Sequence, residues 1–160
     1  MFNLFKKKEI NDVEVKLPLD GKILPIEEVP DQVFSQKMVG DGFAVEPRDG
    51  KVYAPVDGEI VLRPDELHAI GIRAKNGAEI LIHFGMDTVE LKGEGFTSSV
   101  NVGDQVKEGD LLLTVDLDLI KEKVPSTITP VIVSNPDDYQ WDAINNNAQL
   151  HETVMTVVKK

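Results

Sequence analysis

The sequence predicts an all-β fold, an antiparallel barrel or sandwich with a few short helical turns, and three observations carry that expectation. Apolar or alternating segments are short and are cut repeatedly by Gly, Pro and Asp, the rhythm of strands joined by turns. A Pro-x-Asp-Gly turn is used twice, in Leu17-Pro18-Leu19-Asp20-Gly21-Lys22-Ile23 and in Ala54-Pro55-Val56-Asp57-Gly58-Glu59-Ile60; Asp-Gly supplies the backbone freedom that a tight turn requires. A Gly-Asp pair recurs at short spacing in Gly103-Asp104-Gln105-Val106-Lys107-Glu108-Gly109-Asp110, a second repeated turn.

In chain order, residues 1–12 read as a flexible N-terminal tail. Phe2, Leu4 and Phe5 beside Lys6-Lys7-Lys8 offer marginal attraction to an anionic membrane surface; the simpler reading is a solubilising end. From residue 13 onward strands are expected over 13–17, 22–26, 43–46, 51–54, 59–62, 69–74, 79–83, 111–115, 128–133 and 154–158. Only 31–37, 117–123 and 136–140 read as helical, and each is short. The Gly-Asp echo looks like the turn-and-strand module of barrel-sandwich hybrid domains, biotin and lipoyl carriers included. A carrier needs its modified lysine at a hairpin tip between small or methionine residues, and no such lysine stands out, so the echo is read as architecture.

Composition bounds the function. A chain of 160 residues, 41% hydrophobic and 28% charged, fits a single domain over 13–160 with a real core. Without cysteine there is neither a disulfide framework nor a thiolate metal site, and the cytoplasm is the simplest compartment. No apolar run approaches the ~20 residues that span a bilayer. A formal net charge of −11 repels nucleic-acid phosphates and favours a basic partner.

Chemistry concentrates on the stretch from Leu67 to Phe96. The apolar run Ile80-Leu81-Ile82 ends on His83, followed by Phe84 and Gly85, so no side chain sits beside the ring. His68 opens another strand upstream, and Lys75-Asn76-Gly77 marks a turn between them. His68 lies about eight residues from the turn centre and His83 about seven, at ~3.3 Å per residue. A hairpin therefore brings two of the three histidines to nearly one height, close enough to share a ligand. A lone histidine in a strand is more often a hydrogen-bonded structural group; it is the pairing that points to a site.

These residues carry a resemblance. Gly77-x-x-Ile80-Leu81-Ile82-His83-Phe84-Gly85-Met86-x-Thr88-Val89, followed by Glu90-Leu91-x-Gly93-Glu94-Gly95-Phe96 and preceded by His68-Ala69, resembles the phosphorylation-site signature of the glucose-type enzyme IIA of the bacterial phosphoenolpyruvate-dependent sugar phosphotransferase system. Val29-Pro30-Asp31-x-Val33-Phe34, Val39-Gly40-Asp41-Gly42-Phe43-Ala44, Ala54-Pro55-Val56-Asp57-Gly58 and Ser126-Thr127-Ile128-Thr129-Pro130-Val131-Ile132-Val133-Ser134-Asn135 resemble further segments of that family.

The resemblance implies a barrel-sandwich hybrid with a duplicated hybrid motif, and a cytoplasmic phosphotransferase component working through a phosphohistidine. His83 is then the acceptor, phosphorylated on Nε2, and His68 steadies the phosphoryl group. The donor is the small phosphocarrier HPr. The recipient is a cysteine of a sugar-specific EIIB domain, whose EIIB/EIIC permease is expected on a separate chain, so that the membrane is met only through it. No cofactor is expected and no metal is required, although His68 and His83 together suit adventitious zinc. Asp31 and Asp87 rim the family's active face and receive an arginine of HPr; the plainer alternative is a pair of turn-capping aspartates. Phe34, Val39, Met86 and Val89 are candidates for a dry docking patch, or else for core. The competing class is a regulatory binding module that docks on permeases or metabolic enzymes according to its phosphorylation state.

Two departures stand out. Where the family usually has threonine two residues before its first histidine, this chain has Glu66, a carboxylate that can take an N–H of His68 and fix its tautomer or point to solvent. His151 stands where the resemblance leads one to expect glycine, and reads as an exposed surface residue. Other chemistries fare worse. Zinc peptidases of related architecture use a His-x-His pair that is absent here, Ser98 and Ser99 sit in no nucleophile elbow, and Gly93-Glu94-Gly95 is too short a glycine pattern to cradle a nucleotide.

Overall fold

The computed structural model describes residues 10–160. The apolar and basic patch of Phe2 to Lys8 thus lies outside the described residues, as does most of the expected tail. The end of that tail is not loose: the Asn11 carbonyl accepts from Asn76 Nδ2 and from Lys159 N, and Asp12 already belongs to the first strand.

Thirteen strands form three antiparallel sheets among the described residues. The largest holds β2 (Gly21–Pro25), β3 (Asp41–Pro47), β11 (Thr129–Val133), β7 (Glu79–His83), β6 (Ala69–Ala74), β5 (Gly58–Leu62) and β9 (Gln105–Val106), in that order. Two three-stranded sheets complete the barrel-sandwich: β1 (Asp12–Lys16), β13 (Thr153–Lys159) and β12 (Tyr139–Trp141), and β4 (Lys51–Tyr53), β10 (Leu111–Val115) and β8 (Phe96–Ser98). The helices are α1 (Gln32–Ser35) and α2 (Leu117–Lys121), with 3-10 turns at Ile26–Glu28, Thr88–Leu91 and Pro136–Asp138. All-β, antiparallel and nearly helix-free, the fold is the one expected.

The two Pro-x-Asp-Gly turns occupy equivalent places in the structure. Lys16 N donates to Pro55 O and, 37 residues on, Tyr53 N donates to Pro18 O, so the two Pro-x-Asp-Gly turns clasp each other about a pseudo-twofold axis. Leu17 N to Glu152 O repeats as Ala54 N to Asp110 O, and His151 N to Leu17 O repeats as Gly109 N to Ala54 O. Even the strand irregularity is shared: β1 pairs β13 with a register shift between Val15 and Lys16, and β4 pairs β10 with the matching shift between Leu111 and Leu113. This equivalence explains residue 151. Gly109 has φ +89° and its counterpart His151 has φ +69°, a left-handed conformation that favours glycine. The His151 ring lies against Tyr53, centroids 4.9 Å apart.

The glycine of each Asp-Gly turn is needed for closeness rather than for turning. A Cβ on Gly21 would sit 2.3 Å from Glu46 O, and one on Gly58 2.1 Å from Arg73 O, so the neighbouring strand's backbone occupies the space. The Gly-Asp echo is a turn closed by its own carboxylate: Asn101 N donates to Asp104 Oδ2 and Lys107 N to Asp110 Oδ2, each at 2.8 Å.

Two cores result. The main one lies between the sheets and holds Phe43, Ile60, Ile70, Ile72, Ile80, Ile82, Phe84 and Leu113, all unexposed. A smaller one, made of Leu24, Ile26, Val29, Phe34, Ala44, Met86 and Ile132, lies on the other face of the large sheet beneath α1. Period-two alternation along β7 sends Ile80 and Ile82 to the main core and leaves Leu81 packed against the smaller one, so His83 comes up at the edge of the smaller core.

Candidate functional site

β6 and β7 pair with Ala69 opposite His83, Ile70 opposite Ile82 and Gly71 opposite Leu81. The two histidines therefore do lie at nearly one height. Height alone does not bring rings together, because residues facing each other across antiparallel strands share a face and successive residues alternate; it is Ala69, not His68, that shares the His83 face by pairing. His68 precedes the strand, and Leu67 before it is left-handed at φ +61°, which breaks the pleat. The rings meet edge to face, centroids 5.1 Å apart at 81°.

Gly85 determines how the His83 ring is held. Its φ of +71° turns the chain back so that its carbonyl stands 2.9 Å from His83 Nδ1. A carbonyl only accepts, so the proton is on Nδ1 and Nε2 carries the lone pair. Nε2 takes no hydrogen bond from the described residues and is not one of the sealed atoms lacking a partner; the residue is half-buried. His68 is arranged the opposite way. Its Nδ1 is sealed from solvent with no hydrogen-bond partner among the described residues, and an orphaned buried N–H is costlier than an unfilled acceptor, so its proton belongs on Nε2. One ring offers a nucleophilic nitrogen, the other an N–H donor.

Both rings are neutral at neutral pH. Burial pushes the His83 pKa below the ordinary imidazole value, helped by His68, against opposition from the Gly85 carbonyl and the Asp31 charge. Burial likewise lowers His68, opposed by the charge of Glu66. Glu66 acts on His68 through that charge: no hydrogen bond joins the two among the described residues, so of the two expectations for Glu66 the tautomer-fixing bond is not formed.

The remaining expected residues divide. The Phe34 ring packs on His83 with centroids 5.0 Å apart and is buried, as is Met86 at 3% exposure; these two are core beside the site, not open surface. Val39 and Val89 are exposed. Asp31 is the N-cap of α1, its Oδ1 accepting from Val33 N at 2.8 Å, which matches the capping alternative, yet its charge still reaches His83. Asp87 caps nothing with its side chain; it is exposed and left-handed at φ +58°.

Sequence reasoning missed Val33 and Met38, which are 41% and 68% exposed close to Phe34 and Val39 in the chain; their signal was an apolar residue within a short capped helix and another just after it. It also missed strain. Lys37, Leu67, Asp87 and Lys92 all have positive φ in the segments that bracket the rings. Each costs ~1–2 kcal/mol, and such strain gathers at functional sites. Among the described residues no cluster of three or more His, Cys, Asp or Glu side chains suited to a metal occurs.

A family model described as phosphoenolpyruvate-dependent sugar phosphotransferase system, EIIA 1, matches residues 13–139. The chain is 54% identical over 138 residues to the PTS system glucose-specific EIIA component of Oceanobacillus iheyensis, covering 85% of this chain and 84% of that one. It is 48% identical over 130 residues to the PTS system glucose-specific EIICBA component of Staphylococcus saprophyticus, 81% of this chain and 19% of that longer one. Among solved structures, glucose permease IIA from Mycoplasma capricolum superposes with a TM-score of 0.87 at 38% identity, over 94% of this chain and 99% of the other.

Proposed function

The chain belongs to the EIIA 1 family of the phosphoenolpyruvate-dependent sugar phosphotransferase system, and from that premise we propose that it carries a phosphoryl group in the cytoplasm, from phosphorylated HPr to His83 and from His83 to a cysteine of a sugar-specific EIIB domain. One observation carries the residue assignment: the Gly85 carbonyl pins the proton of His83 on Nδ1, which leaves Nε2 as the nitrogen able to attack.

Phosphoryl transfer asks a protein for position and charge stabilisation more than for covalent machinery. The bond from phosphorus to Nε2 forms as the bond to the donor breaks, and the donor keeps that electron pair. Attack draws positive charge onto the ring, where the Gly85 carbonyl and the Asp31 carboxylate stabilise it. Negative charge on the phosphoryl oxygens meets the Nε2–H of His68, whose ring centroid lies 5.1 Å from that of His83. Lowered imidazole pKa values keep the nucleophile unprotonated near neutrality, and the same ring releases the group when the next acceptor arrives.

Docking has its own supports. Val33, Met38, Val39 and Val89 are exposed apolar residues of the segments that carry Phe34 and follow His83, and while Asp31 Oδ1 caps α1 its Oδ2 takes no hydrogen bond from the described residues and can meet an arginine. Exposed Asp87 adds a second carboxylate, suited to the basic face of HPr. The fused EIICBA relative supports an EIIB and EIIC partnership. The test is incubation with phosphoenolpyruvate, enzyme I and HPr, followed by mass mapping of acid-labile phosphate. Label on the peptide containing His83, and none in a His83→Gln variant, supports the proposal; label elsewhere or nowhere refutes it.

A further inference from the structure

The turn after His83 is held far more tightly than a surface loop needs. Three polar side chains are buried among the described residues, Asn76, Thr88 and Thr129, and two of them converge on Gly85. Thr88 Oγ1 donates to Phe84 O at 2.7 Å, clamping the peptide before Gly85. Gly85 N donates to Thr129 Oγ1 at 3.3 Å. The Thr129 hydroxyl proton is itself committed, to Thr127 O at 3.0 Å, so its oxygen faces the Gly85 amide as an acceptor. The peptide after Gly85 is fixed by Met86 N donating to Ser126 O at 2.9 Å. Burying two hydroxyls where the rest of the core is apolar is costly unless each is satisfied, and here each satisfies one end of the Phe84–Gly85 peptide.

We propose that Thr129 and Thr88 are positioning residues for His83: they lock the two ends of the Phe84–Gly85 peptide and so, with Met86 N–H held on Ser126 O, fix Gly85, whose carbonyl keeps the imidazole proton on Nδ1 and leaves Nε2 as the sole nucleophilic nitrogen. The proposal rests on the reading of His83 as phosphoryl acceptor and extends it to residues that touch neither ring. Thr129 stands at the start of β11, a strand paired with β7. The site is thereby tied across the pseudo-twofold to the other half of the molecule.

The test separates positioning from mere stability. Nitrogen-15 spectra of histidine in the unphosphorylated protein above pH 7 report which ring nitrogen carries the proton. Wild type is expected to show His83 as a single Nδ1–H tautomer. Thr129→Val, which keeps the shape and loses the oxygen, is expected to give a mixture and to accept phosphate about tenfold more slowly, the scale typical of a lost outer-layer partner. Thr129→Ser is expected to restore both. A Thr129→Val protein that unfolds more easily but keeps the pure tautomer and the wild-type rate would overturn the proposal.

Should Thr129→Val not fold, Thr88→Val is read in the same way. Hydroxyl protons of Thr129 and Thr88 in the wild type, expected to exchange slowly with solvent, give a third reading, and fast exchange would count against the clamp. The tautomer is read without any phosphoryl donor, so its answer is independent of the phosphocarrier reading, which mass mapping of the wild type decides separately.

Discussion

Replacing Phe34 by alanine should separate the two services that its ring performs, holding α1 down and keeping water from His83. The side chain is 7% exposed within the smaller core, and truncating a buried Phe costs ~3–5 kcal/mol when the cavity persists. Phe34 is the only buried side chain of the four-residue α1, so the segment can settle into the gap, and the cost should fall near ~3 kcal/mol, the lower end of that range. The second effect is electrostatic. Burial is the leading cause of the lowered His83 pKa, and a ring with its centroid 5.0 Å away supplies part of that burial. Phe34→Ala should therefore raise the pKa of His83 toward the ordinary 6.5, protonating more of the nucleophile at neutral pH. Urea unfolding measures the first effect and NMR titration of the His83 ring protons the second, with Phe34→Leu as a control expected to cost less than ~1.5 kcal/mol. A Phe34→Ala protein that loses stability while His83 titrates as in the wild type would refute the link between that ring and the nucleophile.

Four further outcomes are expected. His68→Gln should still accept phosphate from HPr but pass it on about 100-fold or more slowly, the scale of one lost transition-state donor; equal loss of both steps in single-turnover assays would count against the division of roles. Gly85→Ala must hold a φ of +71° with a Cβ 2.9 Å from Thr88 Cγ2, and should lose about 2–4 kcal/mol in urea unfolding together with the fixed tautomer of His83. Both site histidines titrate below 6.5 in the folded protein, so below that pH the unfolded chain binds more protons. Stability should be full above about pH 6.5 and fall as pH drops toward the folded pKa values, with a shallower fall in His83→Gln. Asp31→Asn should keep the α1 cap, since Asn caps as well as Asp, and so leave the unfolding midpoint in place. Phosphoryl acceptance from HPr should nonetheless slow, most at low salt.

What could be read from the chain follows from which forces are local. Strands such as β7 and β11 announce themselves as short apolar runs between turns, and β3 runs only a few residues beyond its expected span. Residues 136–140 misled: Pro136 starts only a 3-10 turn, and Tyr139–Trp141 joins β13 as an edge strand, a pairing that local sequence does not encode. β8 and β9 were missed because strands of three and two residues have no periodicity to detect. The Asp-Gly turns were found, but their reason was not: conformational freedom was expected, whereas the space is filled by Glu46 O and Arg73 O, a tertiary fact. At the site, spacing gave the common height of the histidines; the break at Leu67 that swings His68 toward His83 has no signal, because leucine is not a left-handed residue by preference. Glu66 offered a plausible hydrogen bond that orientation does not supply. Thr129 went unnoticed as a partner of the site because 44 residues separate it from Gly85.

The proposed transfer turns on one nitrogen. Histidine labelled with nitrogen-15, phosphorylated through HPr and observed by nitrogen and phosphorus NMR, reports directly which ring atom of residue 83 bears phosphorus. Coupling to Nε2, with Nδ1 still protonated against Gly85, is the predicted result. Phosphorus on Nδ1, or on His68, would contradict the hydrogen bond that holds the His83 proton against Gly85.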